Sequence, residues 1–435
     1  MMRFIATCLT VVFTAFPAFA AVEVQEIESP GGIKAWLVEE HSIPFTALEI
    51  RFAGGSSLDR AGKRGETNLM MALIEEGAGD MDARAFANAR DSLAASFTFD
   101  AYVDSVSISA KFLTENRAEA IALLKSAIQT PRFDNDAVDR VKGQVMSIIR
   151  SDATDPSRIA GSTFYAKAFG DHPYGSSQNG TLETVTGLTR EDMVTAHERL
   201  FVRDRMYVGA VGDITPEALA SLLDDLLGAL PQSGPDLPNM VQPTLSGGVE
   251  VVPFDTPQSV VLFGHAGIKR DDPDYIPAYV ANEIFGGGAE SRLMDEVREK
   301  RGLTYGIGTY LASLDLGQMV AGQFSSGNNT VAEAIEVVKT QWARLADTGI
   351  SEEELERAKT YLTGAYALRF DGNGPIADIL VGMQMTGLGP DYIAGRNDLV
   401  NAITLEEINR VVRELYDPEN LTFVVVGQPE GMVSN

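Results

Sequence analysis

The sequence predicts an α+β fold made twice over, and three observations point to it. The first is an internal repeat. Ala118-Glu119-Ala120-Ile121 with Lys125 recurs as Ala332-Glu333-Ala334-Ile335 with Lys339, an offset of 214, and residues 188–212 match residues 403–427 without a gap at an offset of 215. That second match pairs Thr189 with Thr404, Glu191 with Glu406, Leu200 with Leu415, Val211 with Val426 and Gly212 with Gly427. A period of this length means duplicated domains rather than a solenoid. The second observation is the segment 230–248, LPQSGPDLPNMVQPTLSGG, whose four prolines, three glycines and weak apolar periodicity read as a linker between the copies. The third is the order within each copy. Strands are grouped beside helices rather than alternating strictly with them, which suggests a sheet covered by helices on one face.

The elements follow in order. Residues 33–38 and 46–52 run apolar or alternate, as strands do. Residues 65–76 and 82–92 carry helical spacing. Residues 96–100 and 105–111 form a hairpin around 101–104, and two long helices follow at 117–128 and 136–150. In the repeated stretch each copy opens a helix with Thr, passes through a polar turn and ends as an apolar strand closing on Val-Gly. In the second copy, residues 290–300 read as a helix stopped at Gly302, and 303–310 as the strand leaving it.

Residues 1–20 have the pattern of a signal peptide. Arg3 supplies the positive start, residues 5–16 an apolar core, and Ala18-Phe19-Ala20 a small-x-small cleavage site. That core is too short to span a bilayer, so no membrane anchor is expected. The only cysteine, Cys8, falls inside it, which leaves residues 21–435 without a thiol, a disulfide or a cysteine metal site. The domains are then 21–229 and 249–435, joined by 230–248. A net charge of −26 disfavours nucleic acid and anionic membranes as partners, and fits an exported protein.

The chemistry begins at residues 65–77, Gly-Glu-Thr-Asn-Leu-Met-Met-Ala-Leu-Ile-Glu-Glu-Gly. This stretch resembles the active-site helix of the M16 peptidases (pitrilysin, insulinase and mitochondrial processing peptidase), in which G-x-x-H-x-x-E-H is followed by a glycine one helical turn later. Gly65 and Gly77 keep the frame. The two ligand positions and the general-base position hold Asn68, Ala72 and Met71. The family's third ligand is a distant glutamate on a carboxylate-rich helix. Here residues 141–149 read VKGQVMSII, with Ile148 near the expected place. Two ligands one turn apart grip an ion because positions i and i+4 share a helix face; Asn68 and Ala72 offer no such pair. The change to Met, Ala and Ile reads as a core repacked without metal. The four histidines, His41, His172, His197 and His265, are scattered and form no H-x-H or H-x-x-x-H pair. Glu75 and Glu76 are adjacent, so they face different directions and read as solvated.

The second copy retains more. Residues 285–305, FGGGAESRLMDEVREKRGLTY, are similar nearly residue for residue to the M16 pattern G-G-x-x-S-R-L-x-x-x-(L/V)-R-E-x-x-G-L-x-Y. In the family the final Arg and Tyr reach across a chamber to the zinc site, hold the substrate backbone and stabilise the oxyanion. The resemblance assigns these roles to Arg298 and Tyr305, with Gly286, Gly287, Gly288 and Ser291 beside the substrate. Phenol and guanidinium donors placed where negative oxygen develops favour amide hydrolysis. The residues alone leave a plainer alternative: Arg298 as a surface partner of Asp295 or Glu299, and Tyr305 as a half-buried strand aromatic. The glycine run lacks Gly-Lys-Ser/Thr and a nucleotide-type βαβ unit, so it reads as a tight turn that lets substrate approach.

The resemblance covers essentially the whole chain after the leader. It implies two α+β domains facing each other as a clam around a chamber, joined by a linker that permits opening. It also implies a non-catalytic subunit with no cofactor of its own, paired with a chain that carries H-x-x-E-H and zinc. The reaction would be endoproteolysis of peptides or unfolded segments, in the periplasm if the cell is Gram-negative. Two rivals stand beside it: a peptide-binding, chaperone-like or scaffold protein without a catalytic partner, and a peptidase using unconventional ligands.

Overall fold

The computed structural model describes residues 23–434. The signal peptide read at 1–20, with Cys8, lies outside the described residues. The two copies form two sheets that share a five-strand order, with an extra edge strand, Gln25–Glu28, in the first. In the first, the order is Gln25–Glu28, Lys34–Glu39, Met206–Gly212, Phe45–Ala53, Ser105–Leu113 and Ser96–Ala101. In the second it is Gly248–Pro253, Thr422–Gly427, Gln258–Ala266, Gln318–Gly327 and Ile307–Ser313. Each has one parallel pair, Lys34–Glu39 with Met206–Gly212 and Gly248–Pro253 with Thr422–Gly427; the other ladders are antiparallel.

The repeat found in the sequence lands on equivalent elements. Thr189 and Thr404 are the N-caps of matching helices, Arg190–Leu200 and Leu405–Leu415. Each closes a capping box, with Asp192 and Glu407 three residues on. Both helices lead to a strand in the same slot of its sheet. In the first copy the expected strands, hairpin and long helices are all present within two or three residues of the sequence reading. The helix expected over 65–76 runs Glu66–Leu73. It tightens into i+3 bonds from Ile74 and Glu76, and Gly77 then turns the chain at φ +122°.

The expectation of a sheet covered on one face needs correcting. Each sheet packs one face on its own helices, around Phe52, Leu69 and Phe112 in the first copy and Phe263, Trp342 and Phe423 in the second. The other face is covered by a helix lent by the opposite copy. Helix Pro156–Phe169 of the first copy lies on strands Gln258–Ala266 and Thr422–Gly427, burying Ala160, Phe164 and Ala168. Helix Asn373–Met385 of the second lies on strands Phe45–Ala53 and Met206–Gly212, burying Ala377 and Leu380 against Trp36, Ala47 and Val211. The approach is close enough to demand glycine at one point. A Cβ on Gly209 would sit 2.7 Å from the Ala377 carbonyl oxygen. Strands buried on both faces read as continuous apolar runs, as Phe-Val-Val-Val does within Thr422–Gly427, a strand buried along its whole length.

The linker has no regular structure over 231–246, yet it is tied down on both copies. The Arg203 N–H donates to the Pro231 carbonyl, Thr244 N–H to Ala168, and Val241 N–H to Leu316. Leu245 is buried in the cluster under Pro156–Phe169. Among the described residues, no helix is long and apolar enough to cross a membrane.

Leu380 belongs by sequence to the second copy, but packs on the first. Leu380→Ala should cost about 2–5 kcal/mol in urea unfolding. Hydrogen exchange should quicken in strands 45–53 and 206–212 of the other copy as well as in the mutated helix.

Candidate functional site

Two regions meet the sequence expectations, one in each copy. In the first, helix Glu66–Leu73 starts at Gly65, whose φ of +98° is left-handed; a Cβ there would meet the Asn179 carbonyl oxygen at 2.7 Å. The Asp59 carboxylate accepts from the Gly65 and Thr67 N–H groups at 2.8 and 3.0 Å. The glycine frame therefore survives for backbone reasons alone. Asn68 donates to Asn179 Oδ1 at 2.9 Å, and Asn179 Nδ2 reaches Asp152 at 3.4 Å.

The reading of Met71, Ala72 and Ile148 as repacked core holds only for Met71, which is 1% exposed. Ala72 is exposed, and Ile148 is 48% exposed. Asn68 and Ala72 share the face turned away from the core, so the apolar replacements there coat a surface. A carboxamide, a buried thioether, a methyl group and an exposed Ile side chain do not suit zinc, which wants imidazole, thiolate or carboxylate. Zinc does not fit these residues.

Elsewhere, Glu75 pairs with Arg90 at 2.7 Å and Glu76 with Arg140 at 2.7 Å. His41 sits between Asp213 and Glu39, His172 meets the Asn239 carbonyl, His197 the Ile128 carbonyl, and His265 the Ala266 carbonyl. Among the described residues, no three His, Cys, Asp or Glu side chains cluster as a metal site.

In the second copy, helix Tyr275–Asn282 widens into a π-turn at Glu283–Gly287, and a second π-turn spans Met294–Glu299. The plain α-helix expected over 290–300 is therefore not formed. Such wide turns recur at functional sites. Gly286 is required by packing: a Cβ would fall 2.3 Å from Thr309 Oγ1, and Thr309 is itself locked to Asn282 by bonds of 2.9 and 3.1 Å. At Gly288 a Cβ would meet Glu283 Oε1 at 2.4 Å. The neighbours that forbid a side chain at these glycines are the protein's own atoms, not an open approach for substrate.

Tyr305 stands two residues before strand Ile307–Ser313, not early in it as expected. Its neighbour Thr304 is buried, and its hydroxyl donates to the Ser325 carbonyl at 2.7 Å and accepts from Gly306 N–H at 3.1 Å. This anchor throws the Tyr305 ring outward, 87% exposed. It borders a hollow of about 590 Å³ with Gly286 and Gly287. Arg298 is not in that lining. Its side chain is 47% exposed and lies 3.4 Å from Glu299. In this chain Arg298 is seen as a surface partner of Glu299, the plainer of the two arrangements its residues allow. Gly288 borders a separate hollow, and Ser291 is 2% exposed.

The hollow beside Tyr305 adjoins another of about 620 Å³ lined by Ile149, Asp152 and Asn179; both include Ser157 at the start of the lent helix. The surface by Asn68 and the surface by Tyr305 thus open side by side.

The sequence reading missed Arg292. Its guanidinium grips Glu354 in a two-pronged pair at 2.6 and 2.8 Å and donates to the Gly349 carbonyl at 2.8 Å. This clamp fixes the start of the motif helix. Burial alone would raise the Glu354 carboxyl, but Arg292 and Ser351 outweigh it and bring it down to about 2. Ser351 and Glu354 also close the capping box of helix Glu352–Tyr366, so the one carboxylate serves both the cap and the clamp.

A group held below its ordinary pKa stabilises above that ordinary value and loses its effect as pH falls toward the depressed one. Glu354→Gln should therefore destabilise by about 2 kcal/mol or more at pH 7. Urea midpoints of mutant and wild type should converge between about pH 5 and pH 2.

The comparisons with known proteins agree with this architecture. Residues 187–362 match the family described as Peptidase M16 inactive domain. The chain is similar to a protein named non-peptidase homolog YmxG from Helicobacter pylori, 25% identical over 427 residues and 98% of both chains. It is also similar to the mitochondrial-processing peptidase subunit beta of Blastocladiella emersonii, 25% identical over 74% of this chain and 70% of that one. Among solved structures, a peptidase M16 inactive domain from Pseudomonas fluorescens superposes with a TM-score of 0.87 at 26% identity, covering 93% of this chain and 98% of that one. With the duplicated fold, the glycine frame and the degenerate positions already seen, the chain carries a match to the M16 inactive domain over 187–362, lacks H-x-x-E-H, and is similar over nearly its whole length to a non-peptidase homologue and to an M16 inactive-domain structure.

Proposed function

We infer that this chain is the non-catalytic, substrate-binding subunit of an exported, heteromeric M16-type zinc endopeptidase. The observation that carries the reading is the contrast between the two copies. No zinc donor stands at Asn68, Ala72 or Ile148, while Tyr305 is held out from a rigid bend with its phenol free. A tyrosine normally buries its ring. One held almost wholly in solvent by a buried Thr anchor is suited to meeting a second surface.

The partner would supply the zinc and the general base. Arg298 and Tyr305 would enter its site as donors to the substrate carbonyl as that oxygen gains charge. Arg298 must first leave Glu299, a surface pair at 3.4 Å that costs little to break. The adjoining hollows around Ser157 would form this chain's half of the chamber, where an extended peptide lies. One relative is by name a subunit of a processing peptidase, which supports a paired assembly. The leader-like residues 1–20 support export, to the periplasm in a Gram-negative cell. One observation favours a peptide-binding scaffold instead: Arg298 turns to Glu299 and away from the Tyr305 hollow.

The test mixes this chain with the H-x-x-E-H homologue of the same genome and follows cleavage of a quenched peptide. Activity should require both chains and fall about 100-fold or more with Arg298→Ala/Tyr305→Phe. Both side chains are exposed, so the melting midpoint should not move. A partner equally active alone, and indifferent to the double variant, would establish the scaffold reading.

A further inference from the structure

A second cavity lies where the lent helix Asn373–Met385 meets the helices of its own copy, with a volume of about 310 Å³. None of its lining residues borders the hollow beside Tyr305. Its composition runs against the rest of this acidic chain. Four arginines line it against one carboxylate, Asp378, and Asp378 is already paired with Arg51. Among the described residues, no carboxylate lies within ion-pair distance of Arg270, Arg369 or Arg396.

Arg396 is the sharpest case, being only 5% exposed. One nitrogen, Nη1, donates to the Leu362 carbonyl at 2.8 Å and to Asn397 Oδ1 at 3.1 Å. The flat faces of Tyr366 and Tyr279 flank it, with ring centroids 4.7 and 5.6 Å from the guanidinium carbon. Arg270 stacks on Tyr275 at 4.3 Å and donates to the Tyr392 hydroxyl at 2.9 Å. Taking a guanidinium out of water costs several kcal/mol unless an anion compensates it. Aromatic faces offset part of that cost, but they leave the charge unneutralised. The cavity is therefore a set of planar cation donors between aromatic walls, with no anion of its own on Arg270, Arg369 or Arg396.

We propose that this cavity binds a small carboxylate that carries an aromatic side group, either a free aromatic amino-acid-like acid or the carboxylate end of a peptide that closes in an aromatic residue. The guanidinium fork matches a carboxylate in plane and spacing. The tyrosine walls admit a flat ring by offset or edge-on stacking. A volume at the lower end of small-molecule pockets limits the ligand to about one capped aromatic amino acid. The inference does not rest on a role for Arg298 or Tyr305.

Calorimetry with N-acetylphenylalanine, and with its amide as the uncharged control, tests the site on the full chain without any partner. The acid should bind saturably and the amide at least about tenfold more weakly. Arg270→Ala and Arg369→Ala should each weaken the acid at least about tenfold, and Arg369→Ala, exposed at the cavity's rim, should do so with an unchanged melting midpoint. Arg396→Met should abolish binding where it folds. A hexapeptide ending in free phenylalanine separates the two sources. Binding as tight as the capped residue assigns the site to peptide ends, and exclusion of the peptide assigns it to free acids. No saturation by the acid up to about 10 mM, equal binding of acid and amide, or Arg270 and Arg369 variants that bind like wild type would overturn the proposal.

Discussion

The structure depends on one exchange. Each sheet has two apolar faces, and its own copy can cover only one. Helix Pro156–Phe169 seals the open face of the second sheet, and Asn373–Met385 seals that of the first. Each fully buried side chain at these seams, such as Phe164 or Leu380, is worth about 1.5–3 kcal/mol of removed apolar surface. Without the exchange, each sheet would present a contiguous hydrophobic patch of the kind that drives association. The duplication is thus more than two domains in a row: neither copy has a complete core without the other.

That interlock also sets what the surface can do. The helix that seals the second sheet carries Ser157 in its first turn, and Ser157 lines both the hollow by Asn179 and the hollow by Tyr305. The degenerate helix of one copy and the retained motif of the other are brought near each other by this packing, and the linker is hydrogen-bonded to both copies. Within the motif, the Arg292–Glu354 clamp and the Thr304 anchor hold the backbone, so that Tyr305 projects from a firm base. The loss of zinc donors leaves that scaffold intact because the glycine frame is kept by backbone geometry, not by metal.

Much of this was legible in the sequence. The repeat, the helix starts at Thr189 and Thr404, the hairpin over 96–111 and the strand patterns are local, and local patterns can be read. The exchange could not be read, because nothing in Ala160, Phe164 or Leu380 states which sheet they will meet. The π-turns were missed because their wider winding has no separate apolar period over a single turn. Ala72 and Ile148 misled because apolar residues were assigned to a core, whereas a helix surface that has lost its ligands need not turn inward. For Arg298 the residues left two arrangements open, and the pairing with Glu299 is the one seen in the free chain.

Asn68, Met71, Ala72 and Ile148 offer no set of zinc donors, while the backbone frame around them is kept. The central claim is that this chain cannot assemble a metal site by itself. The most direct measurement is elemental analysis of the purified chain after equilibration with zinc and gel filtration, with peptide cleavage assayed on the same sample. The structure predicts far less than stoichiometric zinc and no cleavage by the chain alone. Stoichiometric zinc that is lost with Asn68→Ala, accompanied by cleavage without any partner, would contradict it.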